Sequence, residues 1–170
     1  MIPKTLVSSV IAVAAVAASA LEAQQPQSVP RSITGQFEYV NRKVLEMAKD
    51  FPADKYSFRL KPEMRSFGEV IVHVASGVVY AAKAGRGEKA KWDELAPKDY
   101  ATKAACVALM EKSFADADAV LKGEPAAGFT RSVEPWLDVL EHSAEHYGLL
   151  VAYYRANGLV PPESRPKPGK

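Results

Sequence analysis

The sequence predicts an all-α protein whose simplest arrangement is a four-helix bundle. Four segments carry apolar residues at intervals of three and four, which is the period of one face of an α-helix. Proline, glycine and small polar residues separate these segments where they can start or stop helices. No stretch shows a convincing strand pattern. Four helices with one apolar face each bury those faces most simply against one another.

The composition is that of an ordinary globular protein. The chain has 170 residues, of which 48% are hydrophobic and 25% are charged, so it can build one core and one domain. The formal net charge is only +2, and basic residues alternate with acidic ones instead of forming runs. This distribution argues against a nucleic acid or a membrane surface as partner.

The first 23 residues resemble a secretory signal peptide. Lys4 precedes an apolar run at residues 6–20, which is shorter than the roughly 20 residues of a membrane-spanning helix. Small residues at its end favour cleavage after Ala20, and Ala23 offers a second site. We therefore predict a periplasmic or secreted protein with no stable membrane anchor after cleavage; an uncleaved anchor is the alternative.

The first helix is predicted to begin near Ser32 or Thr34, because either residue can cap a helix. A polar linker with prolines at residues 24–31 precedes it, and Pro52 ends it. Its apolar face consists of Ile33, Phe37, Val40, Val44, Met47, Ala48 and Phe51.

The second helix is predicted to open with a capping box formed by Ser66 and Glu69. Residues 70–82 are apolar on nearly every side, which indicates a helix surrounded by its neighbours. His73 is therefore expected inside the bundle. The proline-flanked loop at residues 52–64 is expected to lay its aromatic side chains on the bundle.

The third and fourth helices are bounded by capping and stop signals. The connection at residues 85–98 is long and permits a crossover, so the topology stays open. Asp99 is placed to cap the third helix, and Gly123 ends it. The fourth helix is predicted to begin near residues 132–135 and to stop at residues 157–158, Asn-Gly.

The predicted bundle spans residues 32–162 and must be held by its core alone. Cys106 is the only cysteine, so the chain has no internal disulfide. Alanine and valine surround Cys106 in the third helix, which favours a small buried residue over a nucleophile. The tail at residues 163–170 carries prolines and charges and is expected to lie along the surface or to be loose.

The three histidines of the chain all lie on two of the predicted helices. His142 and His146 are four residues apart, so both imidazoles can reach one point in space. His73 from the second helix could complete the set. Three neutral imidazoles with an open position are typical of a catalytic divalent-metal site. The alternative is that His73 is a core histidine and the other two are chance neighbours.

Two carboxylates flank the histidine pair. Asp138 could accept a hydrogen bond from the outer ring N–H of His142, or be a solvated carboxylate near the helix start. Glu145 either supports the pair or lies on the surface. The stretch also matches H-x-x-E-H, the signature of inverted zinc peptidases. Such enzymes resemble one another in having a further glutamate ligand far downstream, whereas only Glu163 in the tail follows His146.

Three stretches carry a family resemblance. They are the Met-Arg-Ser-Phe-Gly-Glu stretch at residues 64–69 before the second helix, the His-x-x-x-His-Tyr-Gly stretch at residues 142–148, and Tyr-Tyr-Arg-Ala-Asn-Gly-Leu-Val-Pro-Pro at residues 153–162. Together they resemble the DinB/YfiT-like family over about residues 31–165. The resemblance implies a four-helix bundle in which a histidine of helix two and the His-x-x-x-His pair bind a divalent metal.

The resemblance places the metal ligands at His73, His142 and His146. Ligand type alone does not distinguish zinc, nickel, iron and manganese. The family includes bacillithiol and mycothiol transferases and a thiol-dependent isomerase, and despite its name it implies no DNA chemistry. An exported member departs from this pattern, because it would meet little of the cytoplasmic low-molecular-weight thiol that such transferases use.

Two functions remain open from the sequence. As an enzyme, the protein would be a metal-dependent hydrolase or thiol transferase acting on an unknown small molecule. As a non-catalytic bundle, it would sequester metal or a ligand, or form a homodimer through a helix face. No residue beyond the metal ligands is identified as catalytic.

Overall fold

The computed structural model describes residues 29–123, 129 and 132–167, and within them the protein is a bundle of four helices. Over this part of the chain there is no strand, only one isolated β-bridge and three short 3₁₀ turns. The predicted all-α class is confirmed, whereas the predicted signal peptide at residues 1–23 lies outside the described residues. The four helices are α1 (Val29–Asp50), α2 (Phe67–Gly85), α3 (Lys103–Lys122) and α4 (Glu134–Ala156).

The helices pair in an order that differs from their order in the chain. α2 packs against α3 and α4, and α1 packs against the same two helices from the other side. α1 and α2 therefore lie diagonally across the bundle and touch very little. The same holds for α3 and α4, so the connections after α1 and after α3 each join diagonal helices, whereas the long connection after α2 joins two neighbouring helices. This order brings α2 directly against α4.

α2 is the most deeply buried helix of the bundle. It alone among the described helices has the length and composition of a membrane span, and 67% of that stretch is buried inside the protein. Its start is the predicted capping box: Ser66 Oγ accepts a hydrogen bond from the Glu69 N–H at 3.3 Å, and Glu69 Oε2 accepts one from the Ser66 N–H at 2.7 Å. The cap fixes where the helix begins and therefore which residues face α4.

The start of α1 differs from the prediction. Val29, the first described residue, is already helical, so the helix starts before the predicted position near Ser32 and residues 29–31 of the predicted linker at 24–31 are helical.

The predicted cap of α3 is also wrong. Thr102 Oγ1 accepts a hydrogen bond from the Ala105 N–H at 3.1 Å and caps the helix. Asp99 instead lies within the 3₁₀ turn Pro97–Tyr100, which precedes the helix. Proline at the start of that turn fixes its own φ angle and favours a separate tight turn before the helix.

The helix ends agree with the sequence signals. α3 stops before Gly123, and α4 carries Pro135 in its first turn. After α4, Gly158 has a φ of 70°, which is the left-handed conformation that glycine tolerates. The Leu159 N–H then donates to the Tyr154 carbonyl at 3.0 Å, closing the helix end.

The loop at residues 52–64 lays aromatic rings on the bundle, as predicted. Tyr56 is buried and packs edge-on against Phe67, with ring centroids 5.1 Å apart. Phe58 packs edge-on against Tyr153 of α4 at 6.2 Å. These contacts close one end of the bundle around the start of α2.

The described part of the tail lies along the surface and is tied to α1. Arg165 donates to Oδ1 of Asp50 at 2.8 Å, and the Tyr154 hydroxyl lies 3.1 Å from Oδ2 of the same carboxylate. Arg42 on α1 also pairs with Glu163 at 3.3 Å. Arg165 holds the pKa of Asp50 below its usual range, and Tyr154 adds to this effect.

Replacing Asp50 with Asn is expected to lower the free energy of unfolding by about 0.5 to 1 kcal/mol at pH 7, because the side chain is partly exposed. A carboxylate with a lowered pKa stabilises the fold above its unfolded pKa of about 3.9, and this stabilisation is lost as the pH falls through the folded value. Urea unfolding should therefore separate the two proteins at pH 7, and the difference should disappear as the pH falls through the lowered folded pKa of Asp50. Asp54→Asn, exposed and in no ion pair within the described chain, is the control. A pH-independent difference would contradict this assignment.

Candidate metal centre

The structure brings the three histidines together where α2 meets α4. His73 comes from α2, and His142 and His146 come from successive turns of α4. One nitrogen of each ring lies within 4.8 Å of the others, and all three side chains are half-buried. Within the described residues they form a cluster that could hold a metal ion.

The closest pair of ring nitrogens has the spacing of two ligands on one ion. Nε2 of His142 lies 3.0 Å from Nε2 of His73. Imidazole nitrogens bind zinc at about 2.0 to 2.1 Å, so two that share an ion are about 3 Å apart or slightly more. The donor set therefore fits a divalent ion.

The local helix geometry fixes the tautomer of His146. Its Nδ1 lies 2.8 Å from the carbonyl oxygen of His142, one turn earlier. A carbonyl oxygen can only accept, so Nδ1 carries the proton and Nε2 keeps its lone pair. Nε2 is the atom that His146 can offer to a metal.

Burial keeps two of the histidines neutral. Desolvation lowers the pKa of His142 to about 3, and the neighbouring His146 and His73 lower it further. Desolvation also lowers the pKa of His73, with Arg65 as the second cause. Both rings are therefore neutral near pH 7, which is the form that binds metals.

A carboxylate that the sequence did not indicate lies behind His73. Oε1 of Glu94, in the connection after α2, is 3.2 Å from Nδ1 of His73. Arg65 holds the same carboxylate through two contacts, Nε to Oε1 at 3.2 Å and one terminal nitrogen to Oε2 at 3.1 Å. Glu94 stands in a strongly charged stretch where no periodicity distinguishes it from solvated residues.

Trp92 in the same connection covers one side of the centre. Its indole packs edge-on against His142, with ring centroids 4.8 Å apart, and stacks on Tyr80 at 5.2 Å. Gly77 on α2 makes room for it, because a Cβ there would lie 2.4 Å from Trp92 Cζ2 and 3.1 Å from His142 Nδ1. The indole removes solvent from this face of the histidines.

A buried polar contact fixes the rotation of α4. Ser143 Oγ donates to Oδ1 of Asn41 on α1 at 3.1 Å, and Nδ2 of Asn41 donates to the Phe37 carbonyl at 3.0 Å. Both side chains are fully buried. Because Ser143 faces α1, the adjacent His142 is turned toward α2.

The flanking carboxylates do not support the histidines. Nε2 of His142 faces His73 and its Nδ1 has no hydrogen-bond partner among the described residues, so the first of the two roles considered for Asp138, a hydrogen bond to His142, is not observed. Glu145 is exposed. Asp138 therefore has its alternative role, a carboxylate near the helix start, and Glu145 lies on the surface.

The single cysteine is not part of the histidine cluster. Cys106 is buried, and its Sγ donates to the Tyr100 carbonyl at 3.1 Å. Burial raises the pKa of the thiol to about 11, so it is protonated at neutral pH. Its interpretation as a small buried residue is confirmed.

The fold and the cluster define a four-helix bundle with three histidines that could hold a metal ion. A family profile for the DinB superfamily matches residues 36–153, which include all three histidines. The chain belongs to the DinB superfamily. No individual curated protein matches it.

Replacing Gly77 with Ala is expected to destabilise the protein by about 1 to 3 kcal/mol, because the added methyl group overlaps Trp92. Gly148→Ala on α4 is the matched control, since nothing lies within 4 Å of a Cβ there. That change should leave stability unchanged or raise it by about 0.5 to 1 kcal/mol, the helix preference for alanine. Urea unfolding of both variants measures the difference. Equal stability of the two variants would show that Trp92 does not pack against Gly77.

Proposed function

We propose that the protein binds one divalent metal ion through His73, His142 and His146. The convergence of their ring nitrogens within 4.8 Å carries this proposal. The tautomer of His146 and the neutral state of His142 add to it. Imidazole ligands suit zinc, nickel, iron and manganese alike.

The arrangement favours a catalytic over a structural role. Structural zinc sites are closed by four protein ligands, whereas three histidines leave a position for water or substrate. The side chain of His73 is 18% exposed and that of Glu94 is 40% exposed, so the centre reaches solvent. A bound ion would supply Lewis acidity at that position, for hydrolysis or for holding a thiolate.

Within such an enzyme the described residues hold and shield the centre. The histidines provide the donor atoms, and Trp92 keeps solvent from one face of His142. No carboxylate on α4 lies against the histidines, since Glu145 is exposed and Asp138 makes no bond to His142. Because the bound ion itself would supply the chemistry, the proposed function is a metal-dependent hydrolase or thiol transferase acting on a small molecule.

Single alanine substitutions at His73, His142 and His146 are expected to abolish stoichiometric binding of a divalent ion. Because the ion would join α2 to α4, metal should also raise the melting temperature of the wild type, with about 2.7 kcal/mol of added stability at 100 times the dissociation constant. Elemental analysis and thermal melts with and without chelator measure both effects.

Glu145→Ala is the control for these variants, because it changes an exposed residue beside His146 and should keep the metal. Alanine variants that retain one ion per chain would refute the three-histidine site. The metal-loaded wild type and His73→Ala should next be compared on ester, amide and thiol-transfer substrates. Metal-dependent turnover supports the enzyme, whereas tight metal retention without turnover favours a non-catalytic metal-binding bundle.

We also propose that the protein is exported. The apolar run at residues 6–20 and the small residues after it support this. N-terminal sequencing of the protein from its native host should find a first residue between Leu21 and Gln24. A membrane-bound product that still begins at Met1 would contradict export with cleavage.

A further inference from the structure

His73 has a buried nitrogen that lacks a proper partner. Its Nδ1 is inaccessible to solvent and makes no hydrogen bond of normal geometry within the described residues. A buried polar atom without a partner costs roughly 1 to 3 kcal/mol. Oε1 of Glu94 lies 3.2 Å from this nitrogen, within hydrogen-bond distance, so a small adjustment of the carboxylate would supply the missing bond.

Glu94 is itself held in place from two sides. Arg65 contacts both of its carboxylate oxygens, a two-point arrangement that restricts the plane of the group. The next residue, Leu95, donates its backbone N–H to Ser76 Oγ on α2 at 3.0 Å. The Tyr153 hydroxyl of α4 donates to the backbone carbonyl of Arg65. Glu94 is therefore linked to α2 through Leu95 and to α4 through Arg65.

We propose that Glu94 is a positioning residue of the metal centre, which holds His73 by its Nδ1–H while Arg65 holds Glu94. This inference rests on the proposed metal-binding function. With the proton fixed on Nδ1, the lone pair of Nε2 is directed toward His142. Metal-binding histidines commonly donate their other N–H to a carboxylate, and loss of that partner costs about 10- to 100-fold in metal affinity.

The inference is tested by zinc affinity, measured by chelator competition on the folded full-length protein. Glu94→Ala should weaken zinc binding about 10- to 100-fold at unchanged stoichiometry. Glu94→Gln should recover part of the loss, because its amide oxygen can still accept the Nδ1–H bond. Glu88→Ala is the matched control: Glu88 lies in the same connection and pairs with Arg86, outside the histidine cluster.

Arg65→Gln separates positioning from simple charge. If Glu94 acted only as a nearby negative charge, removing the cation beside it would strengthen zinc binding, and Glu94→Gln would equal Glu94→Ala. Positioning predicts the opposite: Arg65→Gln weakens zinc binding because Glu94 is released. The ¹⁵N spectrum of the zinc-loaded wild type should show the His73 proton on Nδ1, and Glu94→Ala should increase its exchange with water.

The outcomes distinguish this inference from the proposed function. Wild type that fails to bind zinc stoichiometrically overturns both. Wild type that binds zinc through the histidines, with Glu94→Ala no weaker than Glu88→Ala, overturns the role of Glu94 alone. A stronger affinity in Arg65→Gln also overturns it.

Discussion

The close packing of α2 against its neighbours is the constraint on which the histidine cluster depends. Two glycines of α2 lie against an indole ring. Gly77 contacts Trp92, and Gly85 contacts Trp136. A Cβ at Gly85 would lie 2.5 Å from the Trp136 ring, as a Cβ at Gly77 would overlap Trp92. The two tryptophans of the chain thus fill the space beside these glycines. His73 lies on the same helix, α2, which is enclosed by this packing.

The sequence predicted correctly which helices carry the three histidines, because local rules fix those positions. The spacing of His142 and His146 places them on one helix face whatever the rest of the chain does. His73 followed from an apolar helix with a recognisable cap. Glu94 and Trp92 could not be found in this way, because they reach the centre from an irregular connection whose path depends on contacts with α2.

Local sequence rules also could not predict the helix pairing or the cap of α3, because both depend on neighbouring structure. Asp99 and Thr102 are both good caps, and the 3₁₀ turn Pro97–Tyr100 decides between them. The diagonal placement of α1 and α2 depends on which apolar faces fit, and several faces had the same period. The local pattern therefore determined which segments are helical, whereas side-chain shape across the bundle determined their arrangement and brought α2 to α4.

The position of the only sulfhydryl bears on which reaction the centre could perform. Cys106 is buried and bonded to a backbone carbonyl, with a pKa raised to about 11, so it cannot supply a thiolate at neutral pH. A thiol transferase built on this chain would need its thiol from a second molecule. Outside the cytoplasm such low-molecular-weight thiols are scarce, whereas hydrolysis needs only water. The proposed export and thiol transfer are therefore in conflict, and a demonstration of export would favour hydrolysis at the proposed three-histidine centre.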